Sequence, residues 1–300
     1  MRENTDLVSA VEVFIAGLAA SGVSPKTVEV RRLGLVRFCR HCAAHGIARV
    51  QDIALPFLEG YRGEMRRRNL ADATVEQYLR APRLLLASLE TRGEIFENPT
   101  RRMALYRRPL LLPRVPDESQ VLRLLAQPAE DTAVGKRDRA LLEFLYSTGA
   151  RVAEALNTDV GDLDPIGASV RLFGKGRRER LCPVGGECLR RVERYLREAR
   201  PVLLRGEDTP ALWIGSRGGR LTVQAVEVRL RGYSVQAALR PPVLPHGLRR
   251  AMATHMLHHG ADPLAIQTIL GHASLKHLSN DLRLTVTDLR RMHRQSRLGE

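Results

Sequence analysis

Long apolar runs, aromatic side chains and lysine are all scarce in this 300-residue chain. No run of about 18 apolar residues occurs, so the sequence predicts no membrane-spanning helix. The first residues lack the apolar core of a signal peptide, which predicts a cytoplasmic location. Aromatic residues make up 4% of the chain. That shortage argues against an RNA- or DNA-binding surface that stacks single-stranded bases on aromatic rings.

Cysteine is sparse as well, with four residues. Cys39 and Cys42 have the spacing of a metal-binding pair, and His45 is close by. However, both cysteines share one helical stripe with Val28 and Leu35, so core packing is the simpler interpretation and we predict no metal site. The same holds for three histidines that lack the glutamate of a His-Glu-x-x-His motif: His255, His258 and His259.

The charge of the chain is strongly one-sided. Lysine and arginine number 48 against 33 acidic residues, which gives a net charge of +15, and only four of the 48 are lysines. A basic folded chain most often binds a polyanion, and nucleic acid is the usual one. The alternative is an arginine-rich source proteome, because the excess is almost entirely arginine.

Helical periodicity and a proline-rich stretch divide the chain into parts. Residues 1–92 predict a helical domain, residues 93–116 a linker without helical period, and residues 117–300 a larger second domain. In the first domain, arginines lie away from the apolar helix stripes, which favours a DNA-binding surface over a merely solvated one. The candidate DNA-binding residues there are Arg37, Arg40, Arg66, Arg67 and Arg80.

The second domain mixes helices with a predicted hairpin. Residues Ser169–Phe173 and Glu179–Val184 alternate apolar and polar side chains as strands do. The glycine-containing segment between them predicts a turn that carries Lys175 at its tip. Downstream, we expect one long helix over about residues 186–204.

Five side chains of the second domain suit phosphate chemistry. Arg151 follows a predicted helix end, and His246-x-x-Arg249 places two groups on one face of a later helix. Two arginines on separate elements can clamp one phosphate, because a guanidinium forks onto two oxygens and stays charged. His246 and His272 can donate hydrogen bonds or transfer protons near neutral pH, and Lys175 can protonate a leaving oxygen.

Four motifs follow one another in this domain: Ser-Thr-Gly-Ala-Arg151-Val-Ala-Glu154, Gly174-Lys175-Gly176-Arg-Arg-Glu179-Arg, His246-Gly-Leu-Arg249 and Leu270-Gly271-His272. In this order and spacing they resemble the tyrosine recombinases, in particular the phage-integrase and Xer branch. The resemblance covers essentially the whole chain. It implies a mainly α fold: a helical, SAM-like core-DNA-binding domain, then an α+β catalytic domain with a small antiparallel sheet.

The resemblance also implies roles for the candidate residues. Arg151 and Arg249 would bind the scissile phosphate, Lys175 would assist the leaving 5′-hydroxyl, and His246 and His272 would occupy the two histidine positions. In the family a tyrosine attacks the phosphate and forms a 3′-phosphotyrosyl link, which splits one exchange into two easier steps without metal or cofactor.

The implied partner is double-stranded DNA, bound in the nucleoid by a dimer to tetramer of this chain, alone or with a partner recombinase. The implied process is site-specific recombination, including the integration of mobile elements. Further DNA contacts are expected from the hairpin arginines Arg177 and Arg178.

The sequence departs from the family at the nucleophile. The tyrosine is expected about nine residues after the Gly-His motif, where this chain has Asp281, and no tyrosine follows Tyr233. We therefore predict a chain that binds DNA but does not cleave it. One explanation is an altered nucleophile in an otherwise intact recombinase, which the retained arginines, lysine and histidines favour. The other is a naturally cleavage-dead accessory or regulatory DNA-binding protein.

Overall fold

Apolar helix faces form three buried clusters in the computed structural model, which describes residues 5–104, 114–174 and 179–271. One of these clusters belongs to the unit Met1–Leu111 and two belong to the unit Leu112–Glu300. Each contact described below lies within one of these units. Whether the units act as separate functional domains stays a prediction.

The first unit is helical. Its helices are α1 (Leu7–Ala20), α2 (Pro25–Ala44), α3 (Leu55–Arg67) and α4 (Asp72–Thr91). The Asp6 carboxylate accepts a hydrogen bond from the Ser9 amide at 2.9 Å and so caps α1, and Ser24 caps α2. Pro82 is buried inside α4, which continues through it. The helices enclose a core in which Leu35 and Phe38 of α2 are fully buried.

Residues 93–104 pack onto this helical unit. Pro99–Arg102 forms a short 3₁₀ helix, which Asn98 caps by accepting from the Thr100 amide at 3.0 Å. Ile95 and Met103, on either side of it, are buried in the same core as α1–α4. Part of the predicted linker is thus anchored to the first unit by apolar side chains.

The second unit has eight helices and one small sheet within the described residues. The helices are α5 (Glu118–Leu125), α6 (Ala133–Thr148), α7 (Val152–Asn157), α8 (Gly186–Glu198), α9 (Arg200–Leu204), α10 (Val223–Gln236), α11 (Pro245–His258) and α12 (Pro263–Leu270). The strands β1 (Leu163–Asp164), β2 (Ser169–Phe173) and β3 (Glu179–Pro183) pair antiparallel in that order. This confirms the predicted fold class. No helix in the described ranges is both long enough and apolar enough to cross a bilayer.

Helix α6 runs through the middle of this core. Phe144 on α6 meets Trp213 edge to face, with ring centroids 5.4 Å apart, and Trp213 stacks on Tyr195 of α8 at 5.5 Å. Both aromatic contacts are fully buried. They fix α6 and α8 side by side, so the end of α6 has a defined position beside the sheet.

The predicted strand pair is confirmed, but the prediction of one helix over residues 186–204 is wrong. The helix breaks at Ala199, and α8 and α9 are separate. Pro201 explains the break, because it has no N–H to donate to the carbonyl four residues earlier.

A buried ion pair supports the same core. Arg137 and Asp138 lie in α6, and the guanidinium of Arg137 donates to one carboxylate oxygen of Asp138 at 2.7 and 2.9 Å. The other oxygen accepts from the Tyr233 hydroxyl at 2.7 Å and from Arg229 at 3.2 Å. The third nitrogen of Arg137 donates to the Ile214 carbonyl. Every oxygen of the buried carboxylate is therefore satisfied.

We expect Asp138→Ala to lower the free energy of unfolding by about 3–5 kcal/mol, because it leaves the buried Arg137 guanidinium without its counter-charge. Arg190→Gln is the matched control, since it removes an exposed ion pair with Glu187 and should cost under about 1 kcal/mol. Urea unfolding of the two variants measures both values. Similar midpoints for the two would contradict a structural role for this ion pair.

Candidate functional site

Arg249 ties together the ends of two helices. Its side chain is 1% exposed, and its terminal nitrogens donate to the carbonyls of Gly149 at 2.6 Å and Leu270 at 2.8 Å. Gly149 ends α6 in the left-handed conformation, with φ of 58°, and Leu270 is the last residue of α12. These carbonyls are ones that a helix end leaves without a backbone donor. The guanidinium is therefore held in one orientation.

Arg151 lies two residues beyond the same turn, at the start of α7. Its backbone amide donates to one carboxylate oxygen of Glu154 at 3.0 Å, and its guanidinium donates to the other at 2.7 Å. The Arg151 side chain is 49% exposed, whereas that of Glu154 is 6% exposed. Glu154 thus anchors Arg151, and about half of the Arg151 side chain remains accessible to a ligand.

Glu154 is charged in spite of its burial. A terminal nitrogen of Arg180 on β3 donates to it at 2.6 Å, in addition to the two donors from Arg151. Burial alone would raise the pKa of Glu154, but the hydrogen bonds from Arg180 and Arg151 outweigh it and hold the pKa below its ordinary value. The site therefore contains a fixed carboxylate between two guanidinium groups.

His246 is exposed on the first turn of α11, one turn before Arg249. It borders a cleft of about 360 Å³ whose rim also carries Arg114, Arg240 and Arg250. Arg114 reaches across to donate to the Arg240 carbonyl at 3.2 Å. The surface around His246 is therefore rich in arginine, and a polyanion would be attracted to it.

The predicted site residues divide into two groups. Arg249 donates to the carbonyl of Gly149, Arg151 follows Gly149 by two residues, and His246 lies on the helix of Arg249. The other predicted residues lie outside the described part of the chain, and their roles stay predictions: Lys175, Arg177, Arg178, His272 and Asp281.

The candidate DNA-binding arginines of the first unit differ in their surroundings. Arg37 lies over the ring of Tyr78, 4.1 Å from its centroid, and Arg66 pairs with Asp72 at 2.9 Å. The remaining three are exposed: Arg40, Arg67 and Arg80. Burial and, to a smaller extent, the charge of Arg80 on α4 lower the pKa of Arg31 on α2.

Three contributors escaped the sequence prediction. Glu154 belongs to the motif that contains Arg151, but the sequence analysis assigned it no role. An acidic residue three positions after the N-cap of a helix is nevertheless a known capping signal. Arg180 ends one of the four motifs but was given no role there, and Arg31 carried no local signal. The partners of Arg180 lie 26 and 89 residues away in the chain, so only the folded structure brings them together.

Gly271→Ala should destabilise the chain by about 1–2 kcal/mol more than Gly260→Ala, because it adds overpacking to the same backbone strain. Both glycines have positive φ, 64° and 87°. A Cβ at Gly271 would lie 2.9 Å from Cδ of Arg180, whereas a Cβ at Gly260 would meet nothing within 4 Å. Urea unfolding measures both variants. Equal losses would contradict a close contact between Gly271 and Arg180.

The chain matches known proteins over most of its length. Residues 114–284 match the phage integrase family. Tyrosine recombinase XerC 2 of Ralstonia nicotianae is 35% identical over 96% of this chain and 85% of its own length. Tyrosine recombinase XerC of Myxococcus xanthus is 33% identical over 96% of this chain and 97% of its own length.

The fold is also similar to solved structures. The crystal structure of a lambda integrase (75–356) dimer bound to a COC′ core site superimposes with a TM-score of 0.73. The match covers 92% of this chain and 95% of that one, at 16% identity. At such low identity the likeness concerns the fold alone.

Proposed function

Because the chain belongs to the phage integrase family of tyrosine recombinases, we propose that it is built for site-specific strand exchange in duplex DNA. In this proposal Arg151 and Arg249 bind the phosphate at the exchange point, and Lys175, His246 and His272 complete the site. Its main support is the fixed orientation of Arg249, whose buried guanidinium is held by the carbonyls of Gly149 and Leu270.

Preorganised donors explain why this arrangement suits phosphoryl transfer. Negative charge builds up on the phosphate oxygens in the transition state, and donors that are already oriented stabilise it without reorganisation. Arg249 is rigid because it is buried, and Arg151 is anchored through Glu154 while it stays open to solvent. In the proposed function both guanidinium groups, which lie near the Gly149 turn, act on one phosphate.

The remaining roles follow from the family pattern. A tyrosine hydroxyl passes its proton to a base or to water, and its oxygen forms a bond to phosphorus while the bond from phosphorus to the 5′-oxygen breaks. The leaving 5′-oxygen takes up a proton. We propose that Lys175 donates this proton to the leaving oxygen. His246 and His272 would donate hydrogen bonds to the phosphate oxygens. In this proposal the arginines, the lysine and the histidines stabilise the charge of the phosphate and supply the proton, and the chemistry uses no metal, as in the family pattern.

Asp281 changes the outcome. A carboxylate attack on phosphorus would yield an acyl phosphate, which is labile and would not store the strand as a phosphotyrosine does. We therefore propose that the chain as it stands binds duplex DNA without cleaving it. The retained arginines, lysine and histidines favour an altered recombinase. The absence of any tyrosine after Tyr233 supports the second candidate, a cleavage-dead accessory or regulatory DNA-binding protein.

We also propose that the first unit grips the duplex through its exposed arginines, mainly by phosphate contacts. On DNA the chain would assemble as a dimer to tetramer, alone or with a partner recombinase, in the nucleoid of the cytoplasm. The lambda integrase structure, which is a dimer on its core site, provides the geometric precedent.

Asp281→Tyr tests the nucleophile. On nicked duplexes drawn from the DNA that flanks its gene, we expect this variant to form an SDS-resistant covalent adduct and the unmodified chain to form none. Asp281→Phe is the matched control, because it supplies the ring without the hydroxyl. An adduct with tyrosine alone supports the disarmed recombinase.

Two other outcomes would change the assignment. If neither form yields an adduct while both bind the duplex, the accessory protein is favoured. An adduct from the unmodified chain would overturn the account of Asp281.

Salt dependence tests the phosphate contacts of the first unit. We expect Arg80→Gln to lower the slope of log Kd against log salt by about 1, because one phosphate contact is lost. Arg190→Gln, whose side chain already pairs with Glu187, is the control and should leave the slope unchanged. Fluorescence anisotropy over a series of salt concentrations provides both slopes. Equal slopes for the two variants would remove Arg80 from the interface.

A further inference from the structure

Arg180 of β3 contacts three parts of the candidate site with one side chain. A terminal nitrogen donates to Glu154 at 2.6 Å, and Nε donates to the Ile269 carbonyl at 2.9 Å. The side chain is 12% exposed, so it faces other residues rather than solvent. It therefore links the sheet to the start of α7 and to the end of α12.

The third contact is with Gly271. A Cβ built on this residue would lie 2.9 Å from Cδ of Arg180 and 3.3 Å from both Nε and a terminal nitrogen. Only a residue without a side chain allows the backbone to approach the guanidinium so closely. Gly271 directly precedes His272, and β3 begins four residues after Lys175. Arg180 is thus adjacent in sequence or space to segments that carry three proposed catalytic groups.

Charge adds a second consequence. The buried Glu154 carboxylate has two cationic partners, and Arg180 is much less exposed than Arg151. With Arg180 present, its guanidinium balances the charge of Glu154, and the charge of Arg151 remains available to a phosphate. Without Arg180, Glu154 would have Arg151 as its main counter-ion. The attraction of Arg151 for a phosphate would then be weakened.

We propose that Arg180 is a positioning residue for phosphoryl transfer, which acts on the phosphate through Arg151 and holds the backbone before His272. The proposal rests on the proposed function. It assigns Arg180 no contact with DNA. Partners that orient the groups of a site typically change activity by about 10–100-fold when they are removed.

The test compares Arg180 variants in the Asp281→Tyr background. We expect Arg180→Gln to lower the rate of covalent adduct formation by about 10–100-fold, with DNA affinity within about twofold of the parent. Arg180→Lys keeps the charge but lacks the planar fork that reaches both Glu154 and Ile269, so it should recover only part of the rate. An unchanged rate in Arg180→Gln would overturn the proposal.

A methylphosphonate substrate separates positioning from general damage to the fold. This substrate lacks the charge on one non-bridging oxygen, so cleavage depends less on the charge of Arg151. If Arg180 acts through Arg151, the rate loss in Arg180→Gln should shrink on this substrate, as it should in Arg151→Gln. Relative to Arg151→Gln alone, the double variant Arg151→Gln with Arg180→Gln should lose less rate than Arg180→Gln loses relative to the parent. Equal losses on both substrates would overturn the action through Arg151.

Failure of the proposed function is a different result. If Asp281→Tyr forms no adduct on any duplex, the recombinase chemistry fails, and hydrogen exchange decides on Arg180. Arg180→Gln should then speed amide exchange in residues 149–154 and 269–271, while Arg190→Gln should not. Unchanged exchange in both segments would overturn the positioning role.

Discussion

A buried carboxylate between two guanidinium groups is the interaction on which the site depends. Glu154 accepts hydrogen bonds from Arg151 and from Arg180, and these outweigh the desolvation that would otherwise raise its pKa. A buried charge is tolerated only when it is paired and hydrogen-bonded. The start of α7, strand β3 and the end of α12 are consequently fixed against one another. Arg249 completes this framework, because it donates hydrogen bonds to carbonyls at the ends of α6 and α12.

The framework gives the arginines of the site a structural role in addition to the proposed catalytic one. Glu154 and Arg249 are buried and Arg180 is 12% exposed, so the loss of any of the three would cost folding free energy as well as the proposed activity. These contacts would therefore keep Arg151 and Arg249 oriented in a chain that binds DNA without cleaving it, as proposed above.

The sequence predicted the features that depend on local patterns or motifs, and it missed the contacts between residues that are far apart in the chain. The strand pair, the helix end before Arg151 and the helical setting of Arg249 all follow from short patterns. The helix break at Ala199 could also have been predicted from Pro201, because proline lacks the N–H that would continue the helix. The role of Arg180 was not predictable, because its acceptors lie 26 and 89 residues away and only folding brings them together.

The central proposal is that the chain keeps every catalytic group except the nucleophile, and a rejoining reaction that needs no tyrosine tests it most directly. A bound duplex would carry a 3′-(p-nitrophenyl) phosphate next to a 5′-hydroxyl end. Attack by the 5′-oxygen forms its bond to phosphorus, breaks the bond to the aryl oxygen and releases p-nitrophenolate, while the hydroxyl proton passes to a base or to water. With Asp281 in place, the chain should accelerate this joining, and Arg151→Gln should slow it by about 10²–10³-fold. A duplex that is bound but joined no faster than in buffer would contradict the claim.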